Sequence, residues 1–252
     1  MTQKIIAVVN QKGGVGKTTT SINVAAQLAE SGRVLLVDLD PQGNATSGLG
    51  LPKESIKQTT YDVICRGMPL AKAVQETHVA QLFVLPATPD LAGAEVELVN
   101  QAQREFALRQ GLSAAAYDYI VIDCPPSLGL LTINGLTAAN SVLIPVQSEY
   151  YALEGLSQLL NTIQAVRGST NPSLDLLGIV LTMFDKRNSL SEQVQGEVAN
   201  YFGDKLFKTL IPRNVRLAEA PSYGQTIYEH DRWSKGSRAY KALSKEVKNR
   251  LG

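Results

Sequence analysis

The sequence predicts an α/β fold, a mostly parallel twisted sheet with helices on both faces, built by residues 1–252 as a single domain. Three observations predict it. Short runs of aliphatic and β-branched residues recur along the chain. Each run is continuous rather than alternating, as expected of strands covered on both faces. Helical stretches separate the runs, and such βαβ alternation closes into a parallel sheet through right-handed crossovers.

In chain order, the first run is Ile5–Val9, followed by a glycine loop and a helix over Thr18–Ser31. A second strand is expected at Val34–Val37. The region Leu51–Val79 reads as mixed helix and loop. Strands follow at Leu82–Leu85, Tyr119–Ile122, Ser141–Ile144 and Leu177–Leu181, with helices over Ala92–Arg109, Leu153–Val166 and Ser191–Phe202. No internal repeat, linker or low-complexity tract interrupts this order.

A chain of 252 residues can bury a full core without disulfides or metals. Its 44% apolar and 19% charged residues are ordinary for a globular protein and argue against long disorder. Two cysteines, Cys65 and Cys124, make no disulfide framework and fit a reducing, cytoplasmic compartment. Ile5–Val9 is too short for a secretory signal, and no apolar run approaches the roughly 20 residues of a membrane span.

The strongest motif is Lys12-Gly13-Gly14-Val15-Gly16-Lys17-Thr18-Thr19, between the first strand and the first helix. Glycines let the backbone curl so that successive N–H groups point at phosphate oxygens, and the helix N-terminus adds its dipole. Lys17 is placed to bind the β- and γ-phosphates, and the Thr18 hydroxyl to ligate Mg²⁺. The chain is therefore expected to bind ATP with Mg²⁺. Counting back from Gly16, Gln11 stands where the common phosphate-loop pattern has its first glycine, so this is a variant carrying a second lysine, Lys12. It is not a dinucleotide-binding glycine motif, because Thr19 occupies the third glycine's place.

Two strands end in carboxylates, Val37-Asp38-Leu39-Asp40-Pro41 and Ile122-Asp123-Cys124-Pro125-Pro126. In a parallel sheet ligands bind beyond the carboxyl ends of strands, which puts all three on the phosphate-loop side. Asp123 fits the strand-end aspartate that holds Mg²⁺. Of Asp38 and Asp40, one is suited to orient the attacking water and the other to support the metal shell; an N-cap or turn role is the alternative for each. Cys124 reads as a buried thiol rather than a redox centre.

These blocks, with Glu149-Tyr150-Tyr151-Ala152-Leu153-Glu154-Gly155 and Ile211-Pro212-Arg213-Asn214-Val215-Arg216-Leu217-Ala218-Glu219-Ala220-Pro221-Ser222, resemble the ParA/Soj partition ATPases, which carry a deviant Walker A loop. The first block is shared with relatives such as MinD; the last two are more specific. The resemblance implies a P-loop ATPase with weak intrinsic turnover, and an ATP-dependent homodimer with nucleotide between the subunits. It implies non-specific binding of double-stranded DNA by that dimer, association with the nucleoid, and hydrolysis stimulated by a ParB-type partner. The cycle serves chromosome or plasmid segregation, and a replication initiator is a further partner of related proteins. By the same resemblance Lys12 looks like the lysine that reaches the partner's phosphates, and Asp40 like the residue needed for hydrolysis. Pro212 and Asn214, with Arg213 between them, look like part of the adenine pocket. Arg187 and Arg216 occupy positions like those of DNA-contacting arginines. No N-terminal extension of the DNA-binding, transcription-regulating kind is expected, because the first strand begins at about residue 4.

The last element expected is a C-terminal helix. From Arg232 to Gly252 the chain carries +6, leaving −5 on the rest of a molecule whose net charge is +1. At about 100° per residue, Lys235, Arg238, Lys241, Lys245 and Lys248 share one arc, and Ala239, Tyr240, Leu243, Val247 and Leu251 the opposite one. The basic arc is expected to meet the phosphate backbone of DNA, with a solvated charged face as the plainer alternative. The apolar arc lacks the bulk of a membrane anchor, which weighs against a MinD-like, membrane-cycling ATPase that places the division site. Thr182-Met183-Phe184-Asp185 echoes a guanine-recognition motif, but Met183 stands in place of its lysine. A nucleotide-binding scaffold without turnover is a third alternative, opposed by Asp40.

Overall fold

The computed structural model describes residues 3–149 and 152–252. Seven strands form one sheet: β1 (Lys4–Val8), β2 (Val34–Asp38), β3 (Gln75–Glu76), β4 (Leu82–Leu85), β5 (Tyr119–Asp123), β6 (Ser141–Gln147) and β7 (Asp175–Thr182). Their order is β3-β4-β2-β5-β1-β6-β7. Every pairing is parallel except the antiparallel edge pair β3–β4. Five longer helices cover it: α1 (Lys17–Leu28), α2 (Leu130–Ala138), α3 (Ala152–Gly168), α4 (Ser189–Phe202) and α5 (Lys235–Leu251).

The continuous apolar runs are explained by burial on both sides. Successive side chains of a strand point to opposite faces. Leu35 and Val37 of β2 join a core that includes Leu131 and Leu136 of α2, Leu159 of α3 and Val194 of α4. Val34 and Leu36 join a second core with Ile22 and Leu28 of α1 and with Tyr240, Leu243 and Val247 of α5. Burying each such side chain stabilises the fold by about 1.5–3 kcal/mol.

Register positions the chemistry. Val8 pairs with Asp123, and Asp38 pairs with Asp123 on the other side. The carboxyl ends of β1, β5 and β2 therefore finish level with one another at the centre of the sheet. The glycine loop, Asp123 and the Asp38–Asp40 segment emerge side by side there.

The helix expected over Ala92–Arg109 is not continuous. It divides into short turns at Ala94–Glu97, Leu98–Asn100, Arg104–Phe106 and Ala107–Gly111. Gln103 adopts a left-handed conformation with φ 57°. Asn134 of α2 then holds the segment that follows the break, donating to the Arg104 carbonyl at 2.9 Å and accepting from the Leu108 amide at 3.0 Å. Tertiary hydrogen bonds thus override a favourable local pattern.

Candidate nucleotide site and basic face

The loop after β1 curls through two glycines in left-handed conformations, Gly14 at φ 73° and Gly16 at φ 86°. Both are angles that a side chain would resist. Gly16 is the N-cap of α1, so the loop delivers its N–H groups to a helix start. The loop is anchored from both sides. Asn10 donates to the Pro145 carbonyl at 2.7 Å and accepts from the Lys12 amide at 2.9 Å. Thr182, at the end of β7, donates to the Val15 carbonyl at 2.8 Å.

The loop's two lysines have different surroundings. Lys17 is 7% exposed and donates to the Lys12 carbonyl at 3.0 Å. Burial lowers its pKa, opposed first by the charge of Asp123 and then by Cys124 and Asp40. The Lys12 side chain is 45% exposed and lies 3.6 Å from Glu149. Gly13 lies between them with open space where a side chain would begin, and Thr19 lines the adjoining cleft.

Asp123 is fully buried at the end of β5. One of its oxygens accepts from the Thr18 hydroxyl at 2.8 Å and the other from the Ser21 hydroxyl at 2.7 Å. Burial pushes its carboxyl up to about 6, against those two hydrogen bonds and the Lys17 charge. This set of hard oxygen donors fits Mg²⁺, which takes one or two carboxylates and completes its octahedron with waters and phosphates. Among the described residues no group of three or more His, Cys, Asp or Glu could hold a metal, and that mode of binding requires none.

The two other aspartates differ. Asp38 is fully buried and accepts from the Asp40 amide at 3.2 Å, the Thr46 amide at 2.8 Å and the Thr46 hydroxyl at 2.6 Å. Burial, reinforced by Asp123, pushes it up to about 7. Its visible role is to shape the loop from Asp38 to Thr46, while the metal-shell role expected for it meets a carboxylate already engaged by three donors. Asp40 is 7% exposed and uses one oxygen to accept from the Gln42 amide at 2.9 Å, which sets its side chain within a tight turn. Cys124 is buried, and burial raises its thiol pKa steeply, as expected of an inert thiol.

Pro212, Arg213 and Asn214 line a cleft of about 320 Å³ that also touches Gly16, Thr19, Thr182, Met183 and Tyr240. The segment is tied to the sheet where Phe184 bridges Pro212 and where the Ile211 amide donates to Leu181 at 2.9 Å. The cleft thus runs directly from the phosphate loop to the segment expected to hold the base. Its volume is of the order of a small-ligand pocket. In the guanine-like stretch, Met183 takes φ 52°, and Asp185 is engaged by Arg187 rather than presented to a base.

Lys235, Arg238, Lys241, Lys245 and Lys248 are all exposed along α5, while Tyr240, Leu243 and Val247 are buried against the body. Arg250 stands apart from the stripe. It donates to the carbonyls of Leu177, Asp204, Lys205 and Leu206, so this part of the basic excess serves the fold. Arg187 forms a two-point pair with Asp185, and Arg216 contacts Glu219 at 2.9 Å and Asp231 at 3.8 Å. Both arginines are therefore partly neutralised by their own chain. Of the block Glu149–Gly155, Tyr150 and Tyr151 lie outside the described residues.

Sequence reasoning missed Ser21, Thr46 and Thr182. Ser21 had a legible signal, since it follows Thr18 by three residues and so shares its helix face. Thr46 and Thr182 act through tertiary contacts that no spacing announces.

A family model described as an AAA domain matches residues 3–176. The sporulation initiation inhibitor protein Soj of Bacillus subtilis is 58% identical over 247 residues, covering 97% of this chain and 98% of that protein. The chromosome partitioning protein ParA of Myxococcus xanthus is 56% identical over 250 residues, covering 98% and 88% respectively. Among solved structures, cobyrinic acid a,c-diamide synthase from Mycobacterium smegmatis, with bound ADP and magnesium, superposes with a TM-score of 0.85 at 40% identity, covering 97% of this chain and 93% of that one.

Proposed function

The chain belongs to the ParA/Soj family of chromosome-partitioning ATPases, and from that premise we propose that Mg-ATP switches it between a monomer and a DNA-binding homodimer. It is an ATPase that uses Mg²⁺. The observation that carries the switch is the division of labour within one loop. Lys17 is enclosed beneath the loop, whereas Lys12 extends to the surface beside Glu149. A loop that needs only to grip its own phosphates has no use for a second, outward lysine. One that closes against a second copy does.

Within one subunit, the loop amides and Lys17 bind the β- and γ-phosphates, as backbone N–H groups and a helix start favour. Thr18 and Asp123 hold Mg²⁺, which when bound neutralises charge on the phosphate oxygens. Asp40, fixed by the Gln42 amide, orients the attacking water, and Asp38 keeps the Asp40 turn in place through Thr46. Pro212, Arg213 and Asn214 hold the base in the adjoining cleft. Two subunits meet with Lys12 of each reaching across. Dimerisation then joins two basic faces, each with Lys235, Arg238, Lys241 and Lys245, with Arg216 near the start of α5 and Arg187 as a further contact. Linking weak sites multiplies affinity through effective concentration, so ATP turns on sequence-independent DNA binding and nucleoid association. A ParB-type partner resets the cycle by stimulating hydrolysis, and a replication initiator is a further target. The burial of Tyr240, Leu243 and Val247 against the body speaks against the membrane-cycling alternative, because the apolar face of α5 is already used.

The test is Asp40→Ala. It should bind ATP, hydrolyse it at least about a hundredfold more slowly, since a misplaced water costs rate but leaves the phosphate cradle intact, and elute as an ATP-trapped dimer. Unchanged turnover would assign Asp40 to the turn alone.

A further inference from the structure

The turn that leads into α5 carries an aromatic group outside the cationic stripe. Trp233 is the only tryptophan in the chain and is 76% exposed. An indole that open to water is uncommon in a protein with a full core, because it forfeits a large burial energy. It is nevertheless fixed in place. The Arg232 guanidinium lies 5.0 Å from the Trp233 ring centre and 5.3 Å from that of Tyr228, and donates to the Tyr228 hydroxyl at 3.2 Å. The turn beneath is closed by Asp231, whose side chain accepts from the Trp233 amide at 3.2 Å and whose carbonyl accepts from the Ser234 hydroxyl at 2.8 Å.

Asp231 also connects this group to the proposed DNA face. Its second carboxylate oxygen lies 3.8 Å from Arg216, and Lys235 and Arg238 follow within the first turn of α5. An exposed, cation-backed indole therefore stands at the edge of a basic surface. Charge complementarity selects an anionic polymer, and the flat π-face selects a polymer with unstacked rings. Base–aromatic stacking beside a positive groove is the physical basis of single-strand binding.

We propose that Tyr228, Arg232 and Trp233 form a nucleobase-stacking platform, which gives the ATP-bound protein a preference for DNA with unpaired bases over intact duplex. This rests on the DNA-binding reading above and deepens it. Lysines and arginines of α5 hold the backbone without regard to sequence. Trp233 then offers its open face to a base already out of the stack, and Arg232 behind the ring keeps the indole from having to be ordered on binding.

Because Trp233 is the sole tryptophan, its emission reports on the platform directly. The experiment titrates the full chain, with Mg²⁺ and a slowly hydrolysed ATP analogue, with three probes: oligo(dT), an intact duplex, and the same duplex with a short central run of unpaired thymines. Emission should be quenched by oligo(dT) and by the gapped-pairing duplex, and much less by the intact duplex. Trp233→Ala should bind the duplex with unpaired thymines about tenfold more weakly while keeping its affinity for intact duplex, and Trp233→Phe should retain most of the preference. If intact duplex binds but emission and preference are the same for all three probes, or if Trp233→Ala keeps the preference, the platform is overturned and the DNA-binding reading stands. If no DNA binds the ATP-loaded parent, both fall. Blue-shifted emission with anionic phospholipid vesicles, and none of the quenching by DNA, would assign the indole to a lipid surface instead.

Discussion

Lys17→Ala removes a cation from beneath the phosphate loop, and the structure sets the size of the effect. An ammonium has three donors. One meets the Lys12 carbonyl at 3.0 Å, which leaves two for phosphate oxygens. Hydrogen bonds to charged groups contribute about 1.5–3 kcal/mol each, so losing two should cost about 3–6 kcal/mol, roughly a 10²- to 10⁴-fold loss of ATP affinity. The fold should survive. Burial already disfavours the charged Lys17, with Asp123 opposing that cost, so deletion relieves one penalty while exposing another. A melting temperature within a few degrees of the parent's is expected, where about 1 kcal/mol corresponds to roughly 2–4 °C at this size. Calorimetric titration with Mg-ATP, alongside thermal unfolding, separates the two effects. Equal ATP affinity in variant and parent would refute the reasoning at its root.

Lys12→Ala should keep nucleotide binding by the monomer but lose ATP-dependent dimerisation, measured by light scattering on a sizing column; a variant that dimerises normally would make Lys12 a surface charge paired with Glu149. The folded chain holds the Asp38 proton up to about 7, whereas the unfolded chain releases it near about 3.9. Ionisation of this group therefore lowers stability progressively as pH rises from about 4 to about 7, by up to about 4 kcal/mol. Asp38→Asn should gain melting temperature relative to the parent across that window when metal is chelated, and a constant difference would contradict the assignment. Arg187→Glu, Arg216→Glu and the pair Lys235→Glu/Arg238→Glu should weaken binding to unrelated DNA sequences alike and spare dimerisation. Each phosphate contact removed should reduce the salt slope by about one.

How much of this was legible depended on whether a residue acts through sequence neighbours or through space. The six apolar runs became strands because burial on both faces leaves a continuous signature. The edge strand Gln75–Glu76 has two polar residues and no such signature. The helix Leu130–Ala138 was equally silent, because seven of its nine residues are buried and no polar face gives it a period. That Lys17, Thr18 and Asp123 would lie together was readable, since phosphate chemistry constrains their spacing, and the structure places them side by side. The hydrogen bonds of Asp38, Thr46 and Thr182 were not, because Asp38 is engaged by an irregular turn with no sequence period, while Thr46 and Thr182 also bond Ala87 and Val15, 41 and 167 residues away. The basic arc of α5 was correctly placed on the surface, but its charge count overstated the face, since Arg250 serves carbonyls of the body.

The central claim is that ATP gates DNA binding. Co-sedimentation of the parent protein with duplex DNA, run with ATP, with ADP and without nucleotide, and repeated with acidic liposomes, tests it most directly. The account predicts strong, salt-sensitive and sequence-independent binding to DNA with ATP alone, weak binding in the other two states, and no ATP-dependent sedimentation with liposomes. DNA binding that is equal in all three states, or ATP-dependent recruitment to liposomes without DNA binding, would contradict it.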